Sequence, residues 1–213
     1  MKKAVYSLVL SEDVVRAVDA LAYREGSNRS ALIDRILAEY MSFVTPEMRV
    51  KEVLDKLSAL LSASGVLIGE PSASVLPFRS SLAYKYNPTV RYGVELYRDG
   101  DALGALKASL RTQNSALLAL MRGFYSAFSE VEEDMIGNVQ YYVEDDKYMR
   151  VLRFKSHNAS SYTSSDVADF ISRYVDTFDR ALKAYFAADN EKAARTSVRR
   201  IYRAYLEKCE EII

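Results

Sequence analysis

The first ten residues alternate between two faces in the way that side chains alternate along a β-strand. The two sets of alternating residues are Tyr6, Leu8 and Leu10 on one face and Val5, Ser7 and Val9 on the other. This pattern predicts a strand over residues 4–10. No hairpin partner lies close in the sequence, so the backbone N–H and C=O groups would be free to pair with a strand of another chain.

Two amphipathic helices are predicted directly after this strand. Ser11 is a good N-cap, and apolar residues then recur at helical spacing. Gly26 is expected to end the first helix in a left-handed conformation. Either Ser27 or Asn28 would cap a second helix, whose apolar stripe runs along residues 31–40.

A strand and two helices within about forty residues are too small to bury a hydrophobic core alone. Two copies could build one. The two strands would pair antiparallel across a two-fold axis, and the four helices would cover one face of that ribbon. The pattern therefore predicts an intertwined homodimer.

The segments 4–15 and 26–33 resemble the ribbon-helix-helix family of DNA-binding proteins, the Arc/MetJ/CopG type. Two features carry the resemblance: a strand followed by Ser-Glu-x-Val, and a Gly-x-Asn-x-Ser step that leads into apolar residues. The resemblance covers about the first fifth of the chain.

This resemblance implies binding of double-stranded DNA, with the two-stranded ribbon in the major groove and the start of the second helix on a phosphate. The implied contacts are Val5, Ser7 and Val9 to base edges and Lys2, Lys3, Asn28, Arg29 and Ser30 to phosphates. Polar or basic side chains usually occupy the base-facing positions in this family. Valine can contact only a thymine methyl group, so this chain departs from the family at two of the three positions.

Three regions are predicted: the ribbon-helix-helix domain over 1–44, a helical linker over 45–64 and a mostly helical α+β domain over 65–213. Pro46 suits the first position of the linker helix, and Gly65 would end it. The apolar stripe of this helix either extends the dimer interface as a short heptad seam or belongs to the core of the last domain.

The last domain is predicted to hold four or five strands and four helices. Its predicted strands lie over 82–86, 90–97, 139–143 and 148–154, and the segment 102–111 is ambiguous between strand and helix. Its predicted helices begin near Asn114 or Ser115, near Ser164 or Ser165, and near Glu191. The domain would bind an effector or build higher oligomers.

Two kinds of side chain in this domain invite a functional interpretation. Most of the 16 tyrosines lie after residue 80, and Tyr84, Tyr92 and Tyr141 could line a small-molecule pocket or be half-buried sheet residues. The acidic run over 130–134 and the basic face of the last helix are interpreted as solvated. For the acidic run, the alternatives are a cation site and pairing with basic residues. For the basic face, the alternatives are contact with DNA and pairing with the acidic run.

Composition narrows the chemistry. The chain has 213 residues, and its 29 Lys and Arg balance its 29 Asp and Glu, so a general attraction to polyanions is excluded. One Cys and one His exclude a Cys/His zinc cluster, and neither a P-loop nor a nucleophile elbow occurs. We expect no metal, no cofactor and no enzymatic activity. The absence of a signal peptide or an apolar membrane span predicts a cytoplasmic protein without a membrane partner.

These observations favour a dimeric, sequence-specific transcriptional regulator, a repressor, whose last domain senses a small-molecule effector or drives assembly. One alternative is an accessory protein of plasmid partition or of a relaxosome that uses the same DNA contact. The other is an assembly module that does not bind nucleic acid.

Overall fold

A computed structural model describes residues 5–41, 43–144, 146–155, 162–209 and 211–213 of the chain. The chain divides into two compact units, unit 1 over Met1–Arg49 and unit 2 over Val50–Ile213. Together they contain six helices and a six-stranded antiparallel sheet within the described ranges, which confirms the α+β class.

Both helices of unit 1 begin at predicted capping residues, and the first ends before Gly26 as predicted. Helix α1 spans Glu12–Arg24 and helix α2 spans Arg29–Tyr40. The Ser11 hydroxyl accepts the N–H of Val14 at 3.4 Å, and the Asn28 side chain, not that of Ser27, accepts the N–H of Ala31 at 3.0 Å.

Gly26 turns the chain between these two helices. Its φ of +61° is the left-handed conformation that glycine adopts without a Cβ clash. The N–H of Ser27 donates to the carbonyl of Ala22 at 2.9 Å, and that of Gly26 donates to the carbonyl of Tyr23 at 3.2 Å. These two bonds form a Schellman motif, which confirms the predicted helix end.

Residues 5–10 are neither helical nor part of a strand within this single chain, and all six are exposed. The predicted strand therefore has no partner in its own chain among the described residues. A strand formed across two copies stays a prediction. Lys2 and Lys3 lie outside the described residues.

Helix α3 spans Pro46–Ala63, so it begins in unit 1 and continues into unit 2. Its start is capped by the Thr45 hydroxyl, which accepts the N–H of Met48, and it is followed by Gly65 at a φ of +82°. The buried side chains of this helix are Val50, Val53, Leu54, Leu57 and Leu61, all part of the unit 2 core. This burial confirms the interpretation of the stripe as a core face.

The sheet of unit 2 has the strand order β1-β2-β3-β4-β6-β5, and all neighbouring strands are antiparallel. The strands are β1 (Leu67–Ile68), β2 (Val75–Ser81), β3 (Thr89–Leu96), β4 (Gly104–Ser109), β5 (Tyr141–Glu144) and β6 (Lys147–Leu152). The predicted hairpin is confirmed as β5–β6, and the ambiguous segment 102–111 contains β4.

The strand predicted over 82–86 is wrong, because this segment belongs to the turn between β2 and β3. Tyr86 and Asn87 have φ values of 65° and 44°, which place the backbone in the left-handed region just before Pro88. The strand lies earlier in the chain and contains Pro77, a residue that argues against a strand on sequence grounds.

Three further helices follow: α4 (Ser115–Ile136), α5 (Ser164–Phe186) and α6 (Glu191–Leu206). Helices α4 and α5 contact the sheet, and α6 packs against α4 and α5. Ring contacts join the layers, since Tyr92 of β3 meets Phe178 of α5 and Tyr148 of β6 stacks on Tyr125 of α4. Helix α5 is capped by Thr163 in a capping box with Asp166, one residue before the earlier of the two predicted caps.

Candidate nucleic-acid interface and buried polar cluster

The predicted phosphate contacts of unit 1 that are described lie together at the start of α2. The Arg29 guanidinium is bidentate on Asp19, with Nε–Oδ1 at 2.7 Å and Nη2–Oδ2 at 2.5 Å. These hydrogen bonds raise the pKa of Arg29 and lower the pKa of Asp19. The Asn28 side chain caps α2, and Ser30, two residues further on, is exposed.

The predicted base-facing residues are all exposed. Val5 and Val9 are fully exposed, and Ser7 is exposed as well. On the alternate face, Leu8 and Leu10 are 59% and 42% exposed. Tyr6 of the same face is 85% exposed, so the difference in exposure is limited to the valines and leucines.

Unit 1 leaves most of its large apolar side chains on the surface. Its described buried apolar residues are Ala22, Leu32 and Ala38. Its exposed large apolar residues after the N-terminal segment are Val14, Tyr23, Ile36, Leu37, Tyr40, Met41, Phe43 and Val44.

The structure does not bring the three candidate pocket tyrosines together. Tyr92 is buried in β3, and its hydroxyl donates to Asp179 at 2.8 Å. Tyr141 lies in β5, which β4 and β6 separate from β3. Tyr84 lies in the β2–β3 turn, with its ring edge-on to Phe186. None of the three lines the groove beside residues 130–134 or the small cavity beside residues 138–140. For Tyr92 the alternative of a buried sheet residue is the one observed.

One residue of the acidic run at the end of α4 is buried, which the sequence interpretation did not predict. Glu132 is fully buried, and its carboxylate accepts hydrogen bonds from three tyrosines. The donors are Tyr174 at 3.0 Å, Tyr202 at 3.1 Å and Tyr148 at 3.4 Å.

Arg150 of β6 completes this buried polar cluster. Its Nη2 lies 3.5 Å from the Glu132 carboxylate, and its guanidinium lies 4.8 Å from the centre of the Tyr174 ring. Burial raises the pKa of Glu132, although Arg150 and the three hydroxyls oppose this shift. The cluster joins α4, β6, α5 and α6 at one point, which makes it a structural centre of unit 2.

Two other acidic residues of the run, Glu130 and Asp134, meet the basic face of α6. Arg195 lies 2.5 Å from Glu130, and Arg199 lies 2.5 Å from Asp134. An open groove of about 850 Å³ runs between the two helices at this place. The four side chains remain 39–59% exposed, so they are solvated as interpreted, and two pairs between the acidic run and the basic face form in addition.

Comparisons of the chain with protein-family models, with curated proteins and with solved structures find no match. Within the described parts of the chain, none of the helices combines the length and the apolar character that crossing a bilayer requires. Those parts also contain no group of three or more His, Cys, Asp or Glu side chains placed to hold a metal ion.

Proposed function

We propose that unit 1 pairs with unit 1 of a second copy as a ribbon-helix-helix dimer, and that this dimer binds duplex DNA as a transcriptional regulator. One observation carries the proposal. An exposed segment with alternating apolar side chains precedes two well-capped helices whose apolar side chains are mostly exposed.

The need for a second copy follows from the size of the buried core. Ordering a residue costs about 1–2 kcal/mol of backbone entropy. Among the described residues of unit 1, Leu32 is the one large apolar side chain that is buried. Its burial stabilises the fold by about 2 kcal/mol. Pairing residues 5–10 of two copies would satisfy their backbone groups and cover Leu8 and Leu10 with helices of both chains.

DNA binding is supported by the side chains that such a dimer would leave exposed on its outer surface. Val5, Ser7 and Val9 would project from the ribbon, and the start of α2 would present Arg29 and Ser30 beside it. Because the whole chain has no net charge, affinity would depend on these local contacts.

The test is selection of binding sites by the full-length chain from a random duplex library, followed by gel shifts on the selected site over a range of salt concentrations. Ser7→Ala should reduce preference for the selected site over random duplex. Arg29→Ala should weaken binding to both and lower the salt slope by about 0.9 for each phosphate that the variant no longer neutralises.

Asp19→Ala is the matched control for Arg29→Ala, since each variant breaks the same ion pair. Asp19→Ala leaves the guanidinium free and removes a negative charge, so DNA binding should be kept or strengthened. If both variants weaken binding equally, Arg29 acts through the ion pair and does not contact phosphate. If the wild-type chain selects no sequence, the DNA proposal is wrong.

An assembly module that does not bind nucleic acid is the second candidate, and the two valines among the base-facing residues favour it. Apolar side chains on the outer face of the ribbon would then be covered by protein. A chain that forms dimers through unit 1 and selects no DNA sequence would establish this alternative.

A further inference from the structure

A small cavity of about 190 Å³ lies where β6 and residues 153–155 run beside the segment 138–140 that follows α4. The N–H of Val151 donates to the carbonyl of Gln140 at 2.9 Å and holds the two segments together. A cavity of this size has room for several water molecules, which suits a small ligand.

Among the described residues, the ionisable side chains that line this cavity are all cationic. They are Arg150, Arg153 and Lys155. Amide side chains of Asn138 and Gln140 add further hydrogen-bond donors, and the ring of Phe154 contributes an apolar wall. Two carboxylates that contact these cations or their backbone, Glu132 and Glu211, do not line the cavity.

One of the cations has a buried donor without an acceptor in the described parts of the chain. The Arg150 side chain is 3% exposed, and its Nε finds no hydrogen-bond partner there. Buried polar groups are nearly always hydrogen-bonded, so this N–H calls for an acceptor. Arg153 is exposed, and no described residue forms an ion pair with it.

Lys155 is held in place at the cavity by the end of α4. Its Nζ donates to the carbonyl of Gly137 at 2.7 Å and also to that of Ile136. These bonds fix a positive charge beside the two arginines without neutralising it, because carbonyl groups carry no net charge.

We propose that this cavity binds a small organic anion, with its oxyanion group held by Arg153 and Arg150 and its short apolar body against Phe154. A guanidinium donates in a fork that matches both carboxylate and phosphate, so the shared chemistry is that of an oxyanion. The site belongs to unit 2 alone and does not depend on DNA binding by unit 1.

The experiment measures calorimetric binding and thermal unfolding of the full-length chain with inorganic phosphate and, separately, with butyrate. Ionic strength is held constant with chloride. At a ligand concentration ten times Kd, Tm should rise by about 3 °C or more. A response to phosphate alone assigns the site to phosphorylated ligands, and a response to butyrate alone assigns it to carboxylates.

Arg153→Ala should weaken binding at least tenfold, and Arg153→Lys should recover part of the affinity. Because Arg153 is exposed, these variants should keep the fold. Arg200→Ala is the control, since it removes an exposed arginine of α6 that does not line the cavity. The proposal is overturned if neither anion raises Tm, or if the Arg153 and Arg200 variants behave alike.

Discussion

Glu132 and Arg150 form an ion pair inside unit 2 in which the carboxylate is fully buried and the guanidinium is 3% exposed. The two residues come from different layers, α4 and β6, and three tyrosine hydroxyls complete the shell of the carboxylate. A buried pair of this kind is costly to break, since the remaining charge has no solvent to replace its partner.

Removal of either partner should therefore destabilise the protein strongly. We expect Glu132→Leu and Arg150→Met each to lower the free energy of unfolding by about 3–5 kcal/mol. The double variant should lose less than the sum of the two, because it leaves no uncompensated charge. Urea unfolding of all four proteins measures this coupling. Additive losses would show that the two side chains act independently.

The raised pKa of Glu132 predicts an unusual pH dependence of stability. Burial makes the folded state hold the proton more tightly than the unfolded state, whose pKa is near the ordinary value of 4.5. Stability from this group is thus fully present below pH 4.5 and declines as the pH rises through the higher folded pKa.

Glu132→Gln isolates this contribution, since glutamine has nearly the same shape and does not titrate. Urea unfolding should be measured for both proteins at intervals from about pH 4 to about pH 8. The stability of the wild type relative to the variant should fall as the pH rises. A relative stability that grows with pH would mean that the folded state lowers the pKa of Glu132.

Two glycines on neighbouring strands should respond very differently to alanine. A Cβ added at Gly104 would lie 1.9 Å from the backbone carbonyl oxygen of Glu95, whereas one added at Gly93 meets only a methyl group of Val75 at 3.8 Å. Gly104→Ala should cost about 3 kcal/mol or more in urea unfolding, because backbone atoms must move. Gly93→Ala should stay within about 0.5 kcal/mol of the wild type. Similar losses for both would indicate that β4 can shift freely.

The dimer proposal predicts opposite behaviour for two neighbouring residues of the N-terminal segment. In the paired ribbon Leu8 would face the helices, and Val9 would face away. Leu8→Glu should therefore dissociate the dimer, and Val9→Glu should keep it while abolishing DNA binding. Light scattering of the full-length chain over a range of concentrations measures the first effect. A wild-type chain that stays monomeric throughout that range would contradict the pairing.

Local signals accounted for the elements that depend on a few neighbouring residues. Ser11, Gly26 and Asn114 each mark a helix boundary, because a capping side chain or a positive φ acts within one turn of the backbone. The β5–β6 hairpin was predictable for the same reason. The strand containing Pro77 was missed, because its pairing with β1 and β3 overrides a local preference.

The sequence contains a periodic signal for the buried polar cluster, but Glu132 and Arg150 are charged and so were not interpreted as core residues. Glu132 follows Phe128 by four residues, so it continues the apolar stripe of α4, and Arg150 alternates with Tyr148 and Leu152 along β6. Both positions have the periodicity of core residues. Periodicity shows which side chains of an element lie on the same face. It does not show that a partner of opposite charge lies across the core.

The sequence by itself determined the N-caps of α1, α2 and α4, the turn at Gly26 and the alternation of residues 4–10, because each depends on residues near one another in the chain. Only the tertiary structure decided that Glu130 and Asp134 meet the arginines of α6, that Glu132 meets Arg150, and that three cations surround one cavity. Those charges lie far apart in sequence, and their energy depends on distance and burial, which the packing of the helices on the sheet sets.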